Sequence, residues 1–386
     1  MRSEFKNKVL TIYLEGSIDS NNSVLVEKEI FSLITDDVSS VILDATNLDY
    51  ISSAGLRVVL KIKKFRNDTS LIEVNNDVYS IFDMTGFTEL LEVRKKYRVL
   101  SVDGCEVIGE GANGIVYRIN DDTIVKVYKN PDAIEEVKNE ISLARKAFVL
   151  GVPTAIPYDI VKVGDLYGSV FELLSSKSFA ELLIEDTNNL DNIVKESVDI
   201  LKKLHKIEPK KDDFPSIKAE FLSRLRIGKA ILDDETYNKL EKLLNDIPDS
   251  PTLVHGDYHL KNILKQIDNS LLIDMDTLSI GHPIFEFAQI YATYIGFSMI
   301  EHNSFQKFFK IDEHYKNDLF YNTLHYYFDD KDEAFINDII DKARILSAIR
   351  FLKKATKPND KFRDSTRKFC LDSFKEVLPR IDKLYY

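Results

Sequence analysis

"LVHGDYHLKNIL", Leu253–Leu264, sets two histidines, an aspartate, a lysine and an asparagine between apolar ends. On its own that mixture fits a nest of metal ligands, a loop carrying a general base, or an ordinary polar turn. His255 and His259 stand four apart, a spacing that binds zinc when both rings project from one helix face. Gly256 and Asp257 between them read as loop, which disfavours zinc and leaves His255 as a buried residue that fixes the loop's shape.

Downstream, Asp274 lies in "LLIDMDT" (Leu271–Thr277), and the intervening "ILKQIDNSLLID" reads as a strand, a D-N-S turn and a second strand. A hairpin of that length brings Asp274 back to the end at which Asn262 starts, with Asp257 on the loop that feeds it. Carboxylate and amide oxygens suit Mg²⁺, which keeps several waters and leaves the rest of its coordination to substrate phosphates. Asn262 and Asp274 are therefore candidate metal ligands, and Asp257 is free to orient a hydroxyl or receive its proton.

Upstream, "IGEGANGIVYRINDDTIVKVY" (Ile108–Tyr128) carries Gly109, Gly111 and Gly114 in G-x-G-x-x-G spacing. In a dinucleotide fold these glycines must open a helix, but here "IVYRI", "NDD" and "TIVKVY" read as strand, turn and strand. A glycine-rich hairpin lets backbone N–H groups approach phosphate oxygens with no side chain in the way. Lys126, between Val125 and Val127, is a charge that is costly to bury unless it faces an anion, and a phosphate supplies one. The helix expected from about Ala133 to Phe148 offers Glu135, Glu136 and Glu140 as partners for it. Glu140 sits in the apolar frame of "VKNEISLARKAF", whereas the first two acids suit a solvated first turn at the positive end of the helix dipole.

Taken together, these elements resemble the aminoglycoside phosphotransferase and choline kinase group, the small-molecule branch of the protein-kinase-like fold, from about Glu106 to the C-terminus. The resemblance implies a bilobal α+β phosphotransferase domain that uses ATP and Mg²⁺. It makes Asp257 the catalytic base, Asn262 and Asp274 the metal ligands, Lys126 the α/β-phosphate contact under Gly109, Gly111 and Gly114, and Glu140 its ion-pair partner. "FELLSSKSF" (Phe171–Phe179), with Glu172, looks like the interlobe hinge whose backbone meets adenine. Two departures stand out: Gly281-His282-Pro283 replaces the usual G-D-P, and no A-P-E-like element follows Asp274. Glu286 falls where an acidic residue often anchors the catalytic loop. The missing A-P-E element favours a small acceptor over a protein.

The first hundred residues have a different texture. "VLTIYLEG", "SVILDAT" and "SLIEVN" read as strands, "SVLVEKEIFSLI" and "AGLRVVLKIKKF" as helices, and the alternation implies a small α/β sheet domain. "LDATNLDYISSAGLRVVL" enters its helix through Ser52, Ser53 and Gly55, where a serine serves either as an N-cap or as a phosphorylation site at the positive end of the dipole. With "IFDMTGFTELLEV" downstream, this stretch resembles the STAS domain of anti-anti-sigma factors. The resemblance implies regulation by phosphorylation at Ser53, although Ser52 replaces the aspartate that often precedes the acceptor.

Residues 1–98 are accordingly expected to form a STAS-like regulatory domain and 99–386 the phosphotransferase, with lobes at about 99–175 and 176–386. The leading expectation is an ATP- and Mg-dependent kinase of a small-molecule hydroxyl. The alternatives are a protein-serine kinase acting on its own or a related STAS domain, and a non-catalytic partner switch that senses nucleotide.

Composition narrows the partners. A net charge of -11 over 386 residues opposes nucleic-acid binding, which needs a basic surface, and no apolar run reaches the roughly 20 residues of a membrane span. Two cysteines, Cys105 and Cys370, cannot build a disulfide framework, so a cytoplasmic setting is expected. The acidic balance is compatible with a cationic acceptor such as an aminoglycoside or amino alcohol, though solubility alone also produces it. An acceptor pocket is expected among the C-terminal helices, where "FEFAQIYATYIGF" and "LHYYF" supply aromatics.

Overall fold

A computed structural model describes residues 1–111, 113–174, 176–210, 212–266 and 269–386. Ala112 of the glycine loop, Ser175 of the expected hinge and Asp268 of the D-N-S turn lie outside the described residues. The chain divides into two compact units, Met1–Ser101 with Val161–Asp165, and Val102–Ile160 with Leu166–Tyr386.

The first unit is built on a five-stranded sheet in the order β1 (Ser3–Lys6), β2 (Val9–Ile18), β3 (Ser40–Ile51), β4 (Thr69–Val74) and β5 (Glu92–Lys95). β1 runs antiparallel to β2 and the remaining pairs are parallel. Leu10, Ile12 and Leu14 alternate into the core from β2, as do Val41, Leu43 and Ala45 from β3, which is the period-two burial that fixes register. Helices α1 (Ser23–Leu33), α2 (Ser53–Phe65), α3 (Asn76–Met84) and α4 (Phe87–Leu90) join the strands. α2 buries Gly55, Leu56, Val58, Val59 and Ile62, one stripe at three- and four-residue spacing. A Cβ on Gly55 would come within 2.8 Å of Ile18 O, so only glycine lets the start of α2 press this closely on the strand. A two-residue strand, β6 (Arg98–Val99), ends this part of the chain.

The next sheet runs in the order β10-β11-β9-β8-β7, from β7 (Glu106–Glu110), β8 (Gly114–Arg118), β9 (Thr123–Tyr128), β10 (Pro157–Val163) and β11 (Leu166–Glu172). β11, β9, β8 and β7 are antiparallel neighbours in the second unit, and β10 begins there while its residues from Val161 on belong to the first. α5 (Ile134–Val149) accompanies them. From α6 (Phe179–Glu185) onward the chain is mostly helical: α7 (Leu190–His205), α8 (Ile217–Gly228), α9 (Asp234–Asn245), α10 (Ile284–Tyr291), α11 (Phe297–Ile300), α12 (Ser304–Phe309), α13 (Tyr315–Tyr327), α14 (Glu333–Thr356) and α15 (Arg363–Val377). Two short antiparallel pairs interrupt the helices, β12 (Leu253–Val254) with β15 (Ser279–Ile280) and β13 (Ile263–Lys265) with β14 (Ser270–Leu272). A large apolar cluster seats both pairs; Leu253, Ile263, Leu272 and Ile280 are all buried in it. Among the described residues no helix is long and apolar enough to cross a membrane.

Candidate active site

The register of β13 and β14 places Ile263 opposite Leu272, and Ile273 N–H donates to Asn262 O at 3.0 Å. Asn262 and Asp274 are thereby brought to one end of the hairpin. β12 and β15 clamp the segment before it. In the loop between the two pairs, Gly256 has φ +80 and a Cβ there would lie 2.7 Å from Thr277 O, so the glycine of the H-G-D element answers both to conformation and to space.

Glu286, fully buried at the start of α10, holds this loop by its backbone: Oε2 accepts His255 N–H at 2.6 Å and Oε1 accepts Gly256 N–H at 3.1 Å. His255 is engaged at both ring nitrogens, Nε2 with Ile273 O at 3.1 Å and Nδ1 with Asp257 N–H at 3.3 Å. Those partners assign a neutral ring with its proton on Nε2, and no ring nitrogen is left for zinc. His282 does not enter this arrangement; its Nδ1 accepts Ile284 N–H at 3.1 Å, and burial pushes its pKa down to about 4.

Asp257 is partly buried. Burial alone would raise its pKa, but contact with His259 and the charges of His259 and Arg350 bring it down to about 2. His259 Nε2 stands 3.5 Å from Asp257 Oδ2, and its ring packs edge-on against Phe308 and Phe309. Asn262 commits its amide nitrogen to Asp257 O at 2.9 Å, so its carbonyl oxygen is the side-chain atom that could meet a cation.

The sheet strands bring the lysine. Lys126 Nζ donates to Glu140 Oε1 at 2.6 Å and to Asp274 Oδ1 at 2.7 Å, with Asp276 3.9 Å away. Burial works against its charge, yet Glu140, Asp274 and Asp276 outweigh that and hold its pKa well above the ordinary value. Glu140, 2% exposed, also accepts from Tyr128 Oη at 2.8 Å and Ser169 Oγ at 2.6 Å through Oε2. A buried carboxylate with this many donors is fixed in place. Glu135, by contrast, pairs with Lys138 at the surface.

Beside the strand of Lys126 runs the β7–β8 hairpin, closed by Gly111 N–H donating to Gly114 O at 2.9 Å. A Cβ on Gly114 would sit 2.7 Å from Val127 O, in the strand that carries Lys126, whereas Gly109 and Gly111 have room for one. Glu172, at the end of β11, is tied to Ile156 through its N–H at 3.0 Å and its carboxylate at 3.2 Å, and Leu173 N–H donates to Asp122 O.

Among the described residues, the ligand atoms of Glu140, Asp274 and Asp276 lie within 4.8 Å of one another. Asp276 did not stand out in the sequence. Burial and then the charge of Asp274 raise its pKa well above the carboxylate range. Such a set of hard oxygens fits Mg²⁺, and the Lys126 ammonium against Asp274 marks the spot as one that draws a cation. Asp274 itself adopts φ 63, a left-handed backbone for a non-glycine residue at the point where these groups meet.

The phosphotransferase enzyme family matches residues 104–310, more than half of the chain. The chain belongs to that family. The STAS domain family matches residues 1–99, so the phosphotransferase carries an N-terminal STAS domain. Over 89 residues, 22% of this chain and 77% of the relative, it is 34% identical to BtrV of Bordetella bronchiseptica, described as an anti-sigma factor antagonist. Solved structures similar to it include the streptomycin-ATP complex of APH(2")-IIa, with 17% identity, 73% of this chain and 93% of that one covered, and TM-score 0.46. A thermostable APH(4)-Ia mutant with ADP and hygromycin B gives 12% identity, 70% and 93% coverage and TM-score 0.49.

In the STAS domain the N-cap of α2 is Ser52, whose hydroxyl accepts from Ala54 N–H at 3.2 Å and Gly55 N–H at 3.4 Å. Ser53 is the first helical residue and is exposed.

The sequence reading passed over Tyr128, Ser169 and Asp276. Tyr128 had a signal, since it shares a face of β9 with Lys126 two residues earlier. Ser169 had none: it meets the site because it pairs with Lys126 across the sheet.

Proposed function

We propose that this phosphotransferase moves the γ-phosphoryl group of ATP to a hydroxyl of a small molecule, with the STAS domain, taken as residues 1–98, as a regulatory or docking module. The observation that carries the reading is the Lys126 ammonium held between Glu140 and Asp274, beside the loop of Asp257 and Asn262. A cation fixed by a buried carboxylate is available to phosphate oxygens without changing position. The β7–β8 hairpin offers backbone N–H groups from above, and the segment after Glu172 is the place for adenine.

Asn262 and Asp274 would hold Mg²⁺, with Asp276 beside them; the ion supplies charge neutralisation on the phosphate oxygens when bound. Asp257 accepts a hydrogen bond from the acceptor hydroxyl and aligns it for in-line attack. With a pKa near 2, Asp257 is a weak base, so it takes the proton late, after bond formation to phosphorus has acidified the hydroxyl. A loose phosphoryl-transfer transition state tolerates that order, because positioning carries most of the rate.

Purified protein with Mg-ATP should release ADP in response to a hydroxyl acceptor, and Asp257→Asn should lower kcat by roughly 10² to 10⁴ with ATP affinity retained. Unchanged turnover in that variant would remove Asp257 from the reaction. The exposure of Ser53 favours a second reading, transfer to a STAS serine. Intact mass after incubation with Mg-ATP decides it: phosphate that appears on the wild type and disappears in Ser53→Ala supports it, and no added mass rejects it.

A further inference from the structure

A cavity of about 350 Å³ opens among α8, α11 and α14, lined by Arg224, Phe297, Arg350, Phe351, Lys353, Lys354, Lys357 and Asp360. Five of those eight side chains are cationic and one is acidic, in a chain whose acidic residues outnumber its basic ones by 63 to 52. Nearby carboxylates do not cancel the excess. Glu220 pairs with Arg224, Glu301 acts on Lys354 from a distance, and Asp360 turns one oxygen back to Phe362 N–H. Among the described residues no carboxylate lies within ion-pair distance of Lys353, Lys354 or Lys357. An excess of like charges around one concavity raises the local concentration of anions and repels cations.

Arg350 relates this cavity to Asp257, which is not itself among the lining residues. It projects from α14, lines the cavity, and its charge acts on Asp257. Its Nε is buried and lacks a hydrogen-bond partner among the described residues, an N–H donor that an incoming oxygen would satisfy. Phe297, also in the lining and packed against Phe351, directly follows the π-helical turn Ala292–Gly296, a distortion of the helix that recurs at functional sites. Gly296 within that turn lies where a Cβ would meet Phe351 at 3.1 Å, so the two aromatic walls are set by close packing.

We propose that the acceptor is a small hydroxyl compound carrying a carboxylate or phosphate, its anionic group seated among Arg224, Arg350, Lys353, Lys354 and Lys357 and its hydroxyl at Asp257. The proposal rests on the reading of Asp257 as the residue that receives the acceptor proton. In the step itself the acceptor oxygen forms a bond to Pγ of ATP as the bond from Pγ to the β,γ-bridging oxygen breaks. ADP leaves with that electron pair, and the hydroxyl proton passes to Asp257. A polycationic aminoglycoside would meet repulsion here, so the chain's overall acidity is a poor guide to its acceptor.

The test is ADP release with Mg-ATP across skeleton-matched sets: glycerol, glycerate and glycerol phosphate; glucose, gluconate and glucose 6-phosphate; choline and kanamycin as cations. Anionic members should exceed their neutral counterparts in kcat/KM by at least about tenfold, and comparing carboxylates with phosphates tells which anion is meant. Lys354→Gln combined with Lys357→Gln should raise KM for the anionic acceptor by roughly tenfold with kcat little changed. Preference for neutral or cationic acceptors, with transfer abolished by Asp257→Asn, would overturn the inference while leaving the phosphotransferase reading intact. If no acceptor works, binding of inorganic phosphate and gluconate to the Mg-ADP-saturated protein, followed by calorimetry, separates the two. Binding weakened in the double variant keeps the anion site and counts against the reading of Asp257, whereas no binding overturns the site.

Discussion

Single residues in this site divide into those fixed by packing and those left open. Gly114 has no room for a Cβ against Val127 O, while Gly109 and Gly111 have only ordinary contacts, 3.7 Å or more, around the place a Cβ would occupy. Packing therefore explains the first glycine and not the other two, which is what a hairpin laid over phosphates requires. Gly109→Ala and Gly111→Ala should leave the melting temperature within about 2 °C and raise KM for ATP several-fold, whereas Gly114→Ala should destabilise the protein. Paired calorimetry and kinetics would check this, and equal destabilisation by all three would refute it. Ser169→Ala tests the carboxylate below: removing one donor to a buried charge should cost about 1–3 kcal/mol and raise KM for ATP, because Glu140 then holds Lys126 less firmly.

At the scale of elements, the hairpin of β13 and β14 and the helix α10 show how far sequence reasoning reaches. Spacing alone placed Asn262 and Asp274 together, since a two-strand unit of fixed length has few ways to close, and the resemblance supplied Glu286 as the loop's anchor. The left-handed backbone of Asp274 was not legible, nor was the crossing of Ser169 to Lys126, because both depend on how separate strands meet rather than on local pattern. β1 and β5 escaped for a related reason: exposed edge strands lack the alternation that reveals a half-buried one. His282, which looked like a loss of loop support, instead sits at the start of α10 as an acceptor for Ile284 N–H. Its pKa, ordinarily 6.5, falls to about 4 chiefly through burial, with His205 and Lys342 adding to the effect. The unfolded chain therefore takes up that proton at a higher pH than the folded one. Stability is unaffected above about pH 6.5 and declines as pH falls from there to about 4, by about 2 kcal/mol once the open part of the ring is allowed for. His282→Asn keeps an acceptor for the helix and should flatten that part of the profile, which urea melts at pH 7 and pH 4.5 would compare. An unchanged slope would show that the ring titrates normally.

For the whole molecule, the decisive fact is that, among the described residues, each unit has its own large core, with a small cluster of Tyr128, Ala133 and Val137 as a third in the larger unit. Leu10 to Leu91 supply one closed apolar cluster and residues from Leu143 onward supply another, and no residue belongs to both. Each unit thus has the means to fold by itself. Every residue proposed for ATP and Mg²⁺, from Gly109 to Asp274, falls in the larger unit, so nucleotide bound there should stabilise that unit and not the other. Binding to the native form adds RT ln(1 + [L]/Kd), about 2.7 kcal/mol when ligand stands at a hundred times Kd. Calorimetry is the right probe, since the chain has no tryptophan. It should resolve two transitions, and Mg-ATP should move one of them upward and leave the other in place. The stationary transition should match that of residues 1–98 expressed alone. Ser53→Asp should likewise shift only the STAS transition, because the substitution places a negative charge at the N-terminus of α2, where the helix dipole favours it. A single transition that moves as one with nucleotide would mean that the two units are coupled thermodynamically, and the STAS domain would then sense the occupancy of the site directly.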